Sequence, residues 1–181
     1  FESNYDISAM LRVLFNSSFF KSEESWYEKV KSPAEVVAGV LRLSGELRKP
    51  ARAMRERTDQ MTYMGQQLNN PPSVEGWHQG TEWIDTGTLV ERLNFAGEQL
   101  SDGDNPGSRA IMERIVERTG GTLSPDVLVD SCLDEIGALT VSDETRAVLV
   151  EFASMESDES PTWRVAKMLQ LVVATPEFQR S

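Results

Sequence analysis

The sequence predicts an all-α protein, an irregular multi-helix bundle of about seven to eight helices with one long Pro/Gly/Trp-containing loop. Three observations predict it. Apolar residues recur three and four positions apart through most of the chain, the spacing that lines one face of a helix. Ser-Pro pairs open several of these stretches and glycines close them. No alternating apolar–polar run of strand length competes with this pattern.

The elements follow in order. Ile7, Met10, Leu11 and Leu14 mark a first helix, with Asn4 or Asp6 as its cap, and Phe15, Phe19 and Phe20 form an aromatic knot expected in the core. Ser32-Pro33-Ala34-Glu35 reads as a capping box with proline at the first helical position, ahead of the stripe Val36, Val37, Val40, Leu41 and a stop at Gly45. A third helix is expected from Pro50, carrying Met54, Met61, Met64 and Leu68, until Asn69-Asn70-Pro71-Pro72 ends it. Residues 69–86 show no periodicity. Leu89, Leu93, Ala96 and Leu100 then mark a helix capped by Thr86 or Thr88.

Residues 101–107, Ser-Asp-Gly-Asp-Asn-Pro-Gly, read as a linker between a helical core with its loop (1–100) and an acidic helical subdomain (108–181) packed on it. Four shorter helices are expected beyond it. Their stripes are Ile111, Met112, Ile115, Val116; then Leu128, Cys132, Ile136; then Val148, Leu149, Phe152; and last Val165, Met168, Leu169, Val172. Gly120-Gly121 and Gly137 are the stops, and Ser124-Pro125, Ser142 and Ser160-Pro161 the starts.

Composition narrows the function classes. The net charge is −11, with −3 in residues 1–100 and −8 in residues 101–181. Such a surface repels phosphate backbones and argues against nucleic acid. No apolar run approaches the roughly 20 residues of a membrane span. One cysteine, Cys132, leaves no internal disulfide, and its apolar stripe makes it a small core residue. The chain starts at Phe1 without a signal-like segment, so it reads as a fragment or processed product of a longer polypeptide.

Three segments carry a family resemblance. Val30-Lys31-Ser32-Pro33-Ala34-Glu35-Val36-Val37, running on to Leu41-Arg42, is one. Met64-Gly65-Gln66-Gln67-Leu68, with Pro71-Pro72-Ser73-Val74-Glu75-Gly76-Trp77, Gly80, Trp83-Ile84 and Arg92-Leu93-Asn94, is the most specific. Ala174-Thr175-Pro176-Glu177-Phe178-Gln179 closes the set. Together they resemble the C-terminal, largely helical part of the bacterial family catalogued as domain of unknown function 1800. The resemblance implies a helical fold and a missing N-terminal helical part, because family members are typically much longer. It also implies an exported or cell-envelope setting, because members are often found beside exported proteins related to sulfatases. The single cysteine fits a cytoplasmic setting too. The family brings no agreed activity, so the resemblance implies no mechanism.

The loop Asn69–Asp85 holds the candidate ligand-binding residues Trp77, His78, Glu82, Trp83 and Asp85. Two tryptophans beside carboxylates suit stacking on a sugar ring; the competing reading makes both rings core that fills a gap between helices. Glu82 and Asp85 form a possible carboxylate pair, since a glycosidase needs two carboxyls about 5–10 Å apart. His78 is the only histidine, which excludes a two-His metal site or a histidine triad within this chain. Arg48, Arg52 and Arg55, with Lys49 and Arg57 nearby, form a basic patch for an anion or a partner, or a complement to the acidic segment 101–181. Asp102, Asp104, Gly107 and Glu113 match four positions of a calcium loop, but Pro106 and Ala110 supply no side-chain oxygen at two others, so a capped turn is the better reading. No catalytic residue, metal site or cofactor is assigned.

Two functions follow as expectations. The first is a protein-interaction or structural module of a larger bacterial protein, whose partner is another protein or the missing N-terminal part of the same polypeptide. The second is a carbohydrate- or anion-binding part of an exported enzyme, acting through the loop 69–86.

Overall fold

A computed structural model describes residues 5–25, 28–46, 54–155 and 159–180. Among the described residues the chain is all-α, with nine helices and no strand. The extra helix arises where Ser17 breaks the first one. α1 (Ile7–Asn16) ends as the Ser17 backbone turns extended, and Ser17 then caps the short α2 (Ser18–Lys21) through its hydroxyl. Asp6 caps α1 by accepting from Ser8 and Ala9 N–H groups.

α3 (Pro33–Ser44) forms as its sequence dictates. The Ser32 hydroxyl accepts from the Glu35 N–H while the Glu35 carboxylate accepts from the Ser32 N–H, and Gly45 ends the helix at φ 75°. α4 (Met54–Tyr63) stops earlier than expected. Gly65, at φ 96°, turns the chain out, so Leu68 lies off the helix and is exposed. The expected start at Pro50 lies outside the described residues.

α5 (Thr86–Ser101) is capped by Asp85, not by Thr86 or Thr88. Thr88 completes the reciprocal box, its hydroxyl accepting from the Asp85 N–H at 3.0 Å. Only four residues, 102–105, separate α5 from α6 (Pro106–Arg118). α7 (Pro125–Glu135), α8 (Asp143–Ala153) and α9 (Pro161–Val173) follow, two of them starting at Ser-Pro.

The buried apolar residues form two clusters. One joins Val36, Val37, Val40 and Leu41 of α3 to Met64, Phe95, Ala96 and Leu100, and includes Val173 and Phe178. The other is built by α6 to α9 around Ile115, Leu128, Cys132, Leu149 and Met168. α9 serves both, since Val165 to Val172 face the second cluster and Val173 the first, and α9 packs more extensively on α5 than on any other helix.

Two expected core groups are not core. Phe15, Phe19 and Phe20 are exposed, and no residue of α1 or α2 is buried. Their helices pack on each other and on the turn Glu23–Ser25, so the knot is local: the Phe15 and Phe20 ring centroids are 4.9 Å apart, edge to face. Val148 and Phe152 lie on the outer side of α8, where only Leu149 and Ala153 turn inward.

Charge enters the interior at α5. Arg92 is 0% exposed. Its Nη1 donates to the Lys31 carbonyl at 2.8 Å, and no ion pair reaches it among the described residues. Its Nε and Nη2 find no acceptor, and burial lowers its pKa from the ordinary guanidinium value. Lys31 sits between α5 and the chain's closing turn. Its N–H donates to the Gln179 carbonyl at 3.0 Å, its Nζ to the Phe178 carbonyl at 2.6 Å, and the Val30–Arg180 bridge lies beside it.

An uncompensated buried guanidinium costs desolvation energy but also fills volume and satisfies a carbonyl. Arg92→Met, which keeps volume and removes charge, is therefore expected to unfold in urea within about 1 kcal/mol of the parent. Arg92→Ala, which opens a cavity, is expected to lose about 3 kcal/mol.

Candidate functional site

The loop Asn69–Asp85 folds across the N-terminal end of α3. Gln66 ties the two together. Its side-chain oxygen accepts from the Ala34 N–H at 2.9 Å, taking one of the free amides at the start of α3. Within the loop, Gly80–Trp83 forms a turn of 3-10 helix in which the Glu82 carboxylate accepts from the Gln79 N–H at 3.3 Å. The Asp85 carboxylate accepts from the Gly87 and Thr88 N–H groups at 2.7 and 2.9 Å. Glu82 and Asp85 thus each cap a turn, and Asp85 is committed to the start of α5.

The two tryptophans differ. Trp83 is 5% exposed, and the edge of the His78 ring system meets it at right angles with centroids 6.0 Å apart. Trp77 is half-buried, its indole N–H donating to the Gln67 carbonyl at 3.2 Å. His78 is exposed, with its Nδ1 3.8 Å from a Glu82 carboxylate oxygen.

Trp77, His78 and Trp83 line one open cleft of about 700 Å³ whose far wall is Lys29, Ser32 and Glu35. Glu82 and Asp85 are not in that wall. Lys29, Glu35 and Gln66 were not among the residues singled out for binding. Lys29 and Glu35 come from a segment more than 30 residues away from the loop, Gln66 lies just before it, and in the sequence Glu35 shows only as a capping residue. Lys29 pairs with Glu35 on that wall. That bond, aided by the Ser32 N–H, pulls the Glu35 carboxyl down to about 2.

The basic patch is only partly within view. Arg48 and Arg52 lie outside the described residues, as does Lys49. Arg55 is exposed on α4. Arg57 turns inward instead, donating to Glu46 at 2.9 Å with its guanidinium over the Phe95 ring. The acidic helices satisfy their own arginines: Arg146 bonds Asp126 and Asp130, and Arg114 bonds Glu135.

The calcium-like stretch forms a capped turn. The Asp102 carboxylate accepts from the Asp104 N–H at 2.8 Å, and α6 starts at Pro106. Gly107 has a packing reason for being glycine. A Cβ there would stand 2.1 Å from the Leu43 carbonyl oxygen, because the start of α6 crosses the end of α3 backbone to backbone. Among the described residues no group of three or more His, Cys, Asp or Glu side chains is placed to hold a metal ion. Cys132 is fully buried, and loss of hydration pushes its thiol up to about 12.

The model of the family described as "Protein of unknown function (DUF1800)" matches residues 1–180. This chain belongs to that family. The match spans the arm α1–α2, the loop cleft and the closing turn alike. No curated protein and no solved structure matches the chain. Among the described residues no helix is long and apolar enough to cross a membrane.

Two predictions follow from this geometry. The Glu35 carboxyl is expected to titrate near 2 by NMR and to move up toward its ordinary value of 4.5 in Lys29→Ala. Because its folded value is depressed, its contribution to stability is present above 4.5 and is lost as pH falls toward 2. Gly107→Ala is expected to cost at least ~2 kcal/mol in urea unfolding, because the obstacle is backbone and not a flexible side chain.

Proposed function

We propose that this DUF1800 chain is a helical protein-interaction module of a larger bacterial protein or assembly. One observation carries the reading: α1 and α2 carry large apolar side chains that the other described residues leave exposed. Val13 is 74% and Phe19 75% exposed, and Ile7, Leu11, Phe15 and Phe20 are exposed too. A chain leaves so many large apolar side chains in water at the cost of their transfer free energy, roughly 1.5–3 kcal/mol for each one fully buried instead. Large apolar side chains exposed in such numbers mark surfaces that another protein covers. The partner is a separate protein or an N-terminal part of the same polypeptide.

A carbohydrate- or anion-binding role is the second reading. It is favoured by the cleft that Trp77 and Trp83 share with Lys29 and Glu35. It extends to an exported enzyme only if the reacting groups come from outside this chain, since Asp85 is held as a helix cap.

Affinity capture from the native host, with mass spectrometry, tests the first reading. The parent is expected to recover a stoichiometric protein partner, and Phe15→Asp/Phe19→Asp to recover at least tenfold less. Equal recovery by both would overturn the reading. The second reading expects glycan or anion binding that Trp77→Ala abolishes.

A further inference from the structure

The loop cleft holds a polar group that the chain itself does not use. Gln66 is 9% exposed and lines the cleft. Its Oε1 accepts from the Ala34 N–H at 2.9 Å, which fixes the side chain, while its Nε2 donates to no group among the described residues. A nearly buried donor without an acceptor costs free energy, so it is a contact that a bound molecule can complete. Trp77 lines the same cleft. Its indole N–H is taken by the Gln67 carbonyl at 3.2 Å, so the half-buried ring offers the cleft apolar surface. Trp83 is 5% exposed and meets His78 edge to face, which makes it a support and not a second platform. Gly76 and Gly80 also line the cleft, and a Cβ at either would meet nothing within 4 Å, so the backbone there is open to close approach.

The charges decide what fits. Lys29 is paired with Glu35, whose carboxyl, pulled down to about 2, stays an acceptor at physiological pH. His78 has a Glu82 carboxylate oxygen 3.8 Å from its Nδ1. Glu75 adds a further carboxylate to the wall. Each basic group of the cleft therefore already faces a carboxylate, in a chain of net charge −11. A phosphate, sulfate or uronate would give up its hydration there and meet no free cation. Hydroxyl groups fit, because each can both donate and accept, and so can serve the Gln66 amide and the carboxylates together. A pyranose ring with equatorial hydroxyls also presents a face of C–H groups that lies flat against an indole. The cleft, about 700 Å³ and open at the surface, is of the size of small-molecule sites, roughly 300–1,000 Å³.

Resting on the second reading above, we propose that the cleft binds a neutral glycan, a chain of pyranose units without carboxylate, phosphate or sulfate groups, with Trp77 as its stacking face and Gln66 Nε2 as its buried hydrogen-bond donor. This narrows the carbohydrate-or-anion alternative to one chemical class and leaves the interaction-module reading independent of it.

The test is an NMR titration of the isotope-labelled 181-residue chain, read at the Trp77 indole N–H and the Gln66 side-chain amide. The neutral probes are cellohexaose, mannohexaose and fully N-acetylated chitohexaose; the anionic ones are hexagalacturonate and inorganic phosphate. At least one neutral probe is expected to shift both signals saturably, with an affinity unchanged between about 0.05 M and about 0.5 M salt, since no ion pair is formed. Trp77→Ala should weaken that binding at least tenfold. Gln66→Glu keeps an oxygen for the Ala34 N–H and replaces the free donor by an acceptor, so it should weaken binding about tenfold while the thermal midpoint stays the same. Saturable binding of the anions alone, or neutral binding that Gln66→Glu leaves untouched, would overturn the inference while the second reading stands. Binding of none of the probes, or binding that Trp77→Ala does not weaken, would overturn both.

Discussion

Arg92 donates to the Lys31 carbonyl from a position with no exposure to water, and three separate parts of the chain meet at that bond. The strap before α3 lies over it, α5 supplies it, and the closing turn after α9 holds the other side of Lys31 through the Gln179 and Phe178 carbonyls. The Lys31 amide and carbonyl are both paired at this partly buried joint, and a buried polar group left unpaired costs about 1–3 kcal/mol. The charged side chain stabilises the joint through one carbonyl while losing its own hydration. The two apolar clusters are then brought into one body by α9, which turns Val172 toward one and Val173 toward the other.

The loop cleft depends on the same joint. Its far wall is the strap residues Lys29 and Ser32 and the first turn of α3, so the strap's position decides where Trp77 and Trp83 face. Gln66 adds the second tether, from the loop's own root to the Ala34 amide. The polar groups of the loop serve mostly to cap turns. Asp85 starts α5 and Glu82 closes the 3-10 turn, which leaves Trp77, His78, Glu75, Gln79 and the Lys29–Glu35 pair among the groups that line the cleft.

The arm and α8 show the other half of the balance. Ile7, Met10, Leu11 and Leu14 have the spacing of a core helix, and Val148 and Phe152 have the spacing of a core stripe. Among the described residues neither set is buried. Hydrophobic spacing reports that a face is to be covered, because water disfavours it. It does not report what covers it, since the transfer free energy is the same whether the cover is an adjacent helix or another molecule.

Local chemistry was legible in the sequence wherever neighbours along the chain decide it. The capping box at Ser32 and Glu35, the stop at Gly45, the Ser-Pro starts of α7 and α9 and the burial of Cys132 needed only residues within a few positions. The tryptophan loop was legible as irregular backbone for the same reason. What tertiary structure decided were meetings between segments far apart: Gly107 against the Leu43 carbonyl, Arg92 against Lys31, Lys29 and Glu35 opposite Trp77. Spacing along a chain carries no distance between such segments. Their contacts are set by how helices cross, and that geometry exists only once the helices have packed.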